Sequence, residues 1–293
     1  MAVADGLVKL VSGDLTVWQV FAARSAFAIP CLMAVLHFAG GRVPLKAPRW
    51  VVVRSLLLIV TWLAYYACLP VLPLAVAATA VYTNPIWTVL LSAYLLRERV
   101  LPTQWLGVAL GFLGVAVVLR PGSESFSAAI FLPLIAALAY SLAMVVTRAK
   151  CRQEDPTVLA LNVHVVFIVT GIVASVLLAV IDVEATARSD YPFLLDTWRA
   201  MGISQWALMA FLGVMSAGYF FGVARAYQIG PPQTMATIDY GYVVFAALWG
   251  MILFGEVPET PTWIGMFLII AAGLLSSGIF AARAASGRSV GHR

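Results

Sequence analysis

The sequence predicts an all-α polytopic membrane protein, an inverted repeat of two five-helix halves. Together they make a ten-helix bundle whose first helix is truncated in this chain. Three observations carry this expectation. Of the 293 residues, 62% are hydrophobic and only 11% are charged, which excludes an ordinary water-soluble globule. Apolar runs of membrane-spanning length recur along the whole chain. Residues 73 to 110 also recur, without a gap and 158 positions later, as residues 231 to 268, pairing Pro73 with Pro231, Thr79 with Thr237, Tyr82 with Tyr240, Glu98 with Glu256, Trp105 with Trp263 and Gly107 with Gly265.

A hydrocarbon core of about 30 Å needs roughly 20 residues of apolar helix. Runs of that order lie at 17–38, 51–69, 74–96, 104–119, 128–147, 158–181, 205–228, 232–254 and 262–282. They are too long and continuous for barrel strands, and a backbone in lipid must satisfy its own hydrogen bonds, so each is expected to be a helix. The segment Pro121-Gly122-Ser123-Glu124-Ser125-Phe126-Ser127 has loop chemistry. It divides the chain into a first repeat at 1–120 and a second at 128–282.

The start of each half aligns as well. Asp14-Leu15-Thr16-Val17 matches Asp155-Pro156-Thr157-Val158, and Lys9 matches Lys150, with an offset of 141 because the second half has a longer loop near 182–203. Extended backward, this alignment sets Met1 opposite Leu142, well inside a span. The first helix therefore lacks its opening residues. Either the start is placed too late or the protein works with a stub, and the packing gap that half a helix leaves in a membrane favours the first.

Charge gives the orientation. Arg97 and Arg99 in one copy of the repeat become Gly255 and Val257 in the other, so the same loop faces the cytoplasm once and the outside once, as in inverted-repeat secondary transporters. Arg42, Lys46, Arg49, Arg54, Arg97, Arg99, Arg148, Lys150, Arg152, Arg283, Arg288 and Arg293 fall on the cytoplasmic side; Lys9, Arg120, Arg188 and Arg199 fall outside. The C-terminus is expected in the cytoplasm of a multi-pass protein of the plasma (bacterial inner) membrane. The net charge of +5 sits in short loops and follows topology, so no nucleic-acid partner is implied. Cys31, Cys68 and Cys151 have neither disulfide nor zinc spacing, and no metal or cofactor is expected. No cleavable signal peptide is visible.

Specific motifs narrow the class. The stretch from Leu72-Pro73 to Pro121-Gly122, with Tyr82-Thr83-Asn84-Pro85, Leu96-Arg97-Glu98-Arg99-Val100 and Gly111-Phe112-Leu113-Gly114-Val115, resembles the first domain of the EamA family of the drug/metabolite transporter superfamily. The resemblance extends over nearly the whole chain. It implies ten helices in two inverted halves that move small organic solutes by alternating access. Superfamily members carry amino acids, metabolites, nucleotide sugars, vitamins or toxic cations. Asp5 and Lys9 followed by Arg24 resemble a bacterial subgroup that includes S-adenosylmethionine and riboflavin importers as well as exporters.

Ionisable residues within a bilayer are costly and usually face the bundle interior. Asp5, Arg24, Arg225 and Asp239 qualify. At 1.5 Å per residue Asp5 and Arg24 share a depth and are expected to pair, as are Arg225 and Asp239 on either side of the turn Gly230-Pro231-Pro232. Either pair reads as a structural ion pair or as a coupling site, and Arg225 could instead snorkel to the surface. Asp239 is the expected carrier of a coupling proton, since Asp5 depends on an incomplete helix. Tyr82 and Tyr240 are repeat mates near mid-membrane, where such folds hold substrate. Asn84 and Pro85 beside the first weaken the helix and free a carbonyl. Trp62, Tyr65, Tyr66, Tyr219, Phe220 and Phe221 either pack as core or form stacking walls for a planar or cationic solute. The substrate-binding candidates are thus Tyr82, Asn84, Tyr240, Trp62, Tyr65 and Tyr219. Glu98 and Glu256 end their helices and are expected to be caps or loop anchors.

The rival functions are an intramembrane enzyme and a non-transporting membrane scaffold. The chain has no H-E-x-x-H, G-x-S-x-G, P-loop or aspartate-rich prenyltransferase motif, and a scaffold would need larger soluble loops. The partners expected are a small-molecule solute, the lipid bilayer and a coupling proton. The charge count makes a first testable prediction: a reporter fused after Arg293 works only in its cytoplasmic form, whereas one inserted near Ser189 reports the outside. The opposite result at both sites would refute the topology.

Overall fold

The computed structural model of the chain describes residues 1–38, 45–97, 101–119, 127–181, 183–230, 235 and 241–276. Among these every regular element is helical. In order they are α1 (Ala2–Val11), α2 (Val17–Phe38), α3 (Pro48–Cys68), α4 (Leu74–Val81), α5 (Asn84–Leu95), α6 (Pro102–Leu119), a 3-10 turn at Ala128–Ile130, α7 (Phe131–Lys150), α8 (Pro156–Val180), α9 (Ala185–Asp190), α10 (Pro192–Leu195), α11 (Ile203–Ile229), α12 (Gly241–Phe254) and α13 (Thr260–Ser276). Six helical stretches are long and apolar enough to cross a membrane: α2, α3, α4 with α5, the 3-10 turn with α7, α8 and α11. Within the runs expected at 104–119, 232–254 and 262–282, the described residues form the apolar helices α6, α12 and α13. The expected loop near 182–203 contains two short helices.

The outer surface agrees with a lipid setting. On α8, Val165, Val169, Ile172, Val173, Val176 and Leu177 all lie exposed, following helical spacing along one side. Water would not tolerate so continuous an apolar stripe on a monomer. Polar side chains turn inward instead, among them Arg24, Arg54, Asp5, Gln19 and His164.

Arg54, counted with the cytoplasmic charges, has its side chain inside the bundle. It lies on α3, fully buried, donating to Thr147 Oγ1 at 2.8 Å and to the Leu159 carbonyl at 3.4 Å. Its neighbours on α7 and α8 supply acceptors that the sequence of α3 alone does not reveal.

The run at 74–96 is two helices. Pro85 has no N–H to return to the Val81 carbonyl, and the chain breaks at Tyr82-Thr83. Ser141 on α7 braces the break by donating to the Asn84 carbonyl at 2.7 Å.

Close approach fixes the remaining packing. α2 lies against α8 and α11, α3 against α7, and α6 against α13. On the last pair, a Cβ added at Gly114 would lie 3.1 Å from the Gly265 carbonyl oxygen. Small residues let helix backbones approach in this way. A Cβ at Gly213 on α11 would meet the Arg24 carbonyl oxygen at 2.5 Å and Phe27 Cβ at 2.7 Å. Backbone cannot give way as a flexible side chain can. Gly213→Ala should therefore lower the thermal midpoint of the purified protein, overpacking costing about 1–3 kcal/mol. Gly218→Ala, with nothing within 4 Å, should hold or raise it through helix propensity. Equal midpoints would count against the α2–α11 contact.

Candidate functional site

The site grows from one buried carboxylate. Asp5 projects from the face of α1 that also buries Ala2, Ala4, Val8 and Val11. Its Oδ2 accepts from the Tyr242 hydroxyl on α12 at 2.5 Å, and its Oδ1 accepts from the Tyr66 hydroxyl on α3 at 3.3 Å. Tyr65 shares a hydroxyl bond of 2.8 Å with Tyr242. Arg24 Nη1 donates to the Tyr66 oxygen at 2.7 Å. The expected Asp5–Arg24 pair is thus indirect, relayed by one phenol, because α3 inserts Tyr66 between α1 and α2.

The guanidinium of Arg24 is boxed by aromatic faces, with its Cζ 4.8 Å from the Phe167 ring centroid, 5.3 Å from Tyr66, 5.4 Å from Phe21 and 5.7 Å from Trp62. Such contacts are worth about 0.5–2 kcal/mol each once desolvated. His164 stands nearby on α8 with its Nδ1 3.0 Å from Ser25 Oγ.

Next to Asp5 is a small chamber of about 40 Å³, lined by Met1, Thr61, Trp62, Tyr65, Val81, Tyr82, Asn84, Tyr140, Tyr219 and Tyr242 as well as Asp5. That leaves room for water but not for a solute. Tyr82 stacks on Tyr242 with centroids 4.8 Å apart and planes 18° from parallel. Trp62 meets Tyr219 edge to face at 6.0 Å. The Asn84 Oδ1 and Trp62 Nε1 atoms are buried without a hydrogen-bond partner.

Both ends of the bundle are latched. At one, Lys9 Nζ donates to Glu256 Oε1 at 2.5 Å and to the Leu72 carbonyl at 2.6 Å, while Glu256 Oε2 accepts from the Leu74 N–H at 2.7 Å. A cleft of 280 Å³ opens beside this latch. At the other, Arg148 donates to the Gln228 carbonyl at 2.9 Å, and Gln228 Nε2 donates to the Cys151 and Glu154 carbonyls. Glu256 is the loop anchor its position suggests.

Trp62, Tyr65, Tyr82, Asn84 and Tyr219 thus meet in one chamber, and Asp5 joins them. Arg225 does not: it is exposed on α11 one turn before the helix ends. Tyr240 and Asp239, and with them the proposed Arg225–Asp239 pair, lie outside the described residues.

The chain matches the EamA-like transporter family over residues 1–120 and 127–278. It belongs to that family. Among similar proteins are an S-adenosylmethionine uptake transporter of Rickettsia prowazekii, 23% identical over 93% of this chain and 87% of that protein, and a riboflavin transporter of Vibrio cholerae, 24% identical over 84% and 77%. A pseudopaline exporter of Pseudomonas aeruginosa is 24% identical over 92% and 89%. A solved crystal structure at 18% identity superposes with a TM-score of 0.65 over 94% of this chain and 97% of that one, which shows a shared fold. Family membership and the apolar spans make this EamA-like protein a multi-pass membrane protein and point to a small-solute transporter rather than an enzyme.

Thr61, Tyr140 and Tyr242 are polar members of the chamber that sequence analysis missed, and only Tyr242 carried a signal. It lies 158 positions after Asn84, so the repeat itself could have named it. The relay makes a stability prediction. Tyr66→Phe removes both the acceptor of Arg24 and a donor to Asp5, and should cost about 1–2 kcal/mol in thermal unfolding. Tyr65→Phe, which loses only a hydroxyl-to-hydroxyl bond, should cost less; the reverse order would break the relay.

Proposed function

We propose that this protein is a secondary active transporter of a small organic solute with a planar or cationic part, working by alternating access in the plasma (bacterial inner) membrane. Its two inverted five-helix halves, residues 1–120 and 128–282, form a ten-helix bundle around the solute. The observation that carries this reading is the aromatic chamber beside Asp5. Its walls come from α1, α3, α4 and α5 of the first half and from α7, α11 and α12 of the second. Such interfaces between repeats near the midplane are where transporters hold substrate. The repeat mates Asn84 and Tyr242 face one chamber, and the mated helices α6 and α13, like α2 and α8, pack against each other. That is the arrangement a pseudo-two-fold axis produces.

The small volume of the chamber supports a cycle in which it widens to admit the solute. A solute requires one latch, at Lys9 and Glu256 or at Arg148 and Gln228, to open while the other holds. Asp5, buried and bonded to two hydroxyls, is the described carboxylate positioned to carry the coupling proton. Relatives named for S-adenosylmethionine, riboflavin and pseudopaline supply the first solutes to test.

Purified protein in proteoliposomes should accumulate at least one of these solutes when a proton gradient is imposed. Trp62→Ala or Tyr219→Ala should cut initial uptake by about tenfold or more, since stacking and cation–π contacts are worth on the order of 1–2 kcal/mol. Trp105→Ala, on an exposed surface, should not. Asp5→Asn should abolish gradient-driven accumulation yet permit solute exchange. Uptake indifferent to all the chamber substitutions would end this assignment of the site.

A further inference from the structure

Arg24 carries a charge that the transport cycle described above does not use. It is 2% exposed, and an arginine keeps its charge even when buried. No carboxylate lies within ion-pair distance of it among the described residues. Nη1 is engaged by Tyr66, but Nε and Nη2 are buried with no hydrogen-bond partner. Those two nitrogens share one edge of the planar guanidinium, the edge whose parallel N–H bonds fit the two oxygens of a carboxylate. Trp62 borders both the guanidinium and the chamber. It lines the chamber, its ring centroid is 5.7 Å from Arg24 Cζ, and its own indole N–H is unpartnered.

We propose that Arg24 is the receptor for a carboxylate group on the transported solute, and that Asp5 takes up one proton as that carboxylate docks. Resting on the transport reading above, this names the solute class: a small planar or aromatic compound bearing a carboxylate. Before docking, the Asp5 carboxylate balances Arg24 across the Tyr66 hydroxyl. Docking brings a second anion to one cation in a site with little water. Two carboxylates sharing such a site do not both stay ionised. The proton goes to Asp5, which has no direct ion pair, while the solute carboxylate takes the open guanidinium edge. Protonated Asp5 can then donate to the Tyr66 oxygen. The chamber gains one anion and one proton, so its net charge is unchanged, and proton entry is tied to solute entry. Among the described residues, the other titratable groups facing the pair are Tyr65 and Tyr66 of α3, Tyr242 of α12, Tyr82 at the α4–α5 break, Tyr140 of α7, Tyr219 of α11, the Met1 amino group and, toward Arg24, His164 of α8. None of these is a second carboxylate.

The test uses the purified full chain with phenylacetate and its neutral amide, phenylacetamide, which differ only at the group in question. Phenylacetate should raise the thermal midpoint and phenylacetamide at equal concentration should not. In weakly buffered solution one proton should be taken up per phenylacetate bound, and the apparent affinity should fall about tenfold per pH unit as proton supply becomes limiting. Asp5→Asn should bind phenylacetate with no proton uptake and no such pH slope. Arg24→Lys, which keeps the charge but loses the two-nitrogen edge, should lose the preference for acid over amide. If Arg24→Lys fails to fold, the acid–amide comparison and the proton count on the unaltered protein decide. Equal stabilisation by both compounds, stabilisation by neither, or binding without proton uptake overturns the proposal. Trp62-dependent transport of a solute lacking any carboxylate would overturn it and leave the transport reading standing. Carboxylate binding with proton uptake but no transport in vesicles would keep the receptor assignment and sink the transport reading.

Discussion

A guanidinium held away from water, and away from every carboxylate among the described residues, governs how the centre of this bundle is built. Charged side chains at membrane depth are costly, and Arg24 meets that cost with aromatic faces on α2, α3 and α8 and a single phenol. The phenol passes the charge on to Asp5, and Asp5 in turn holds Tyr242. Four helices, α1, α2, α3 and α12, are thereby tied into one register. Buried ionic networks are weak sources of stability, and fixing a register is their best-attested use. The same network borders the chamber, so the groups that decide how the helices meet are also those a solute would encounter.

The ends of the bundle follow a related rule. A helix start leaves N–H groups without intrahelical partners, and here distant carboxylates supply the acceptors. Glu256, from the loop between α12 and α13, takes the Leu74 N–H at the start of α4 and holds Lys9 of α1. Glu154, after α7, takes the Lys46 and Ala47 N–H groups before α3. Each bond is local in geometry but joins segments far apart in the chain.

Much of the chamber was legible because the repeat marks it. Tyr82 and Asn84 stand out by their place beside Pro85, and Trp62, Tyr65 and Tyr219 by their aromatic clustering in matched helices. Tyr242 escaped because attention followed identical pairs, and its mate at position 84 is an asparagine. The burial of Arg54 was hidden for another reason. Its position near a helix start says only which end it lies at, and the Thr147 hydroxyl and Leu159 carbonyl on neighbouring helices reveal an interior. The exposure of Arg225 depends likewise on which side of α11 faces the bundle, and an almost uniformly apolar helix does not announce that.

The sequence by itself determined the helical class, most of the apolar spans and the weak point at Pro85. These follow from local physics: lipid forbids unpaired backbone, apolar length sets a crossing, and proline lacks a donor. Tertiary structure alone decided that Asp5 and Arg24 meet through Tyr66, and that Tyr242, 237 positions from Asp5, completes the carboxylate's bonds. Tertiary structure likewise left one guanidinium edge open. Those outcomes depend on the rotation and offset of helices packed mainly by small and apolar residues, whose composition tells little about which neighbours they will touch.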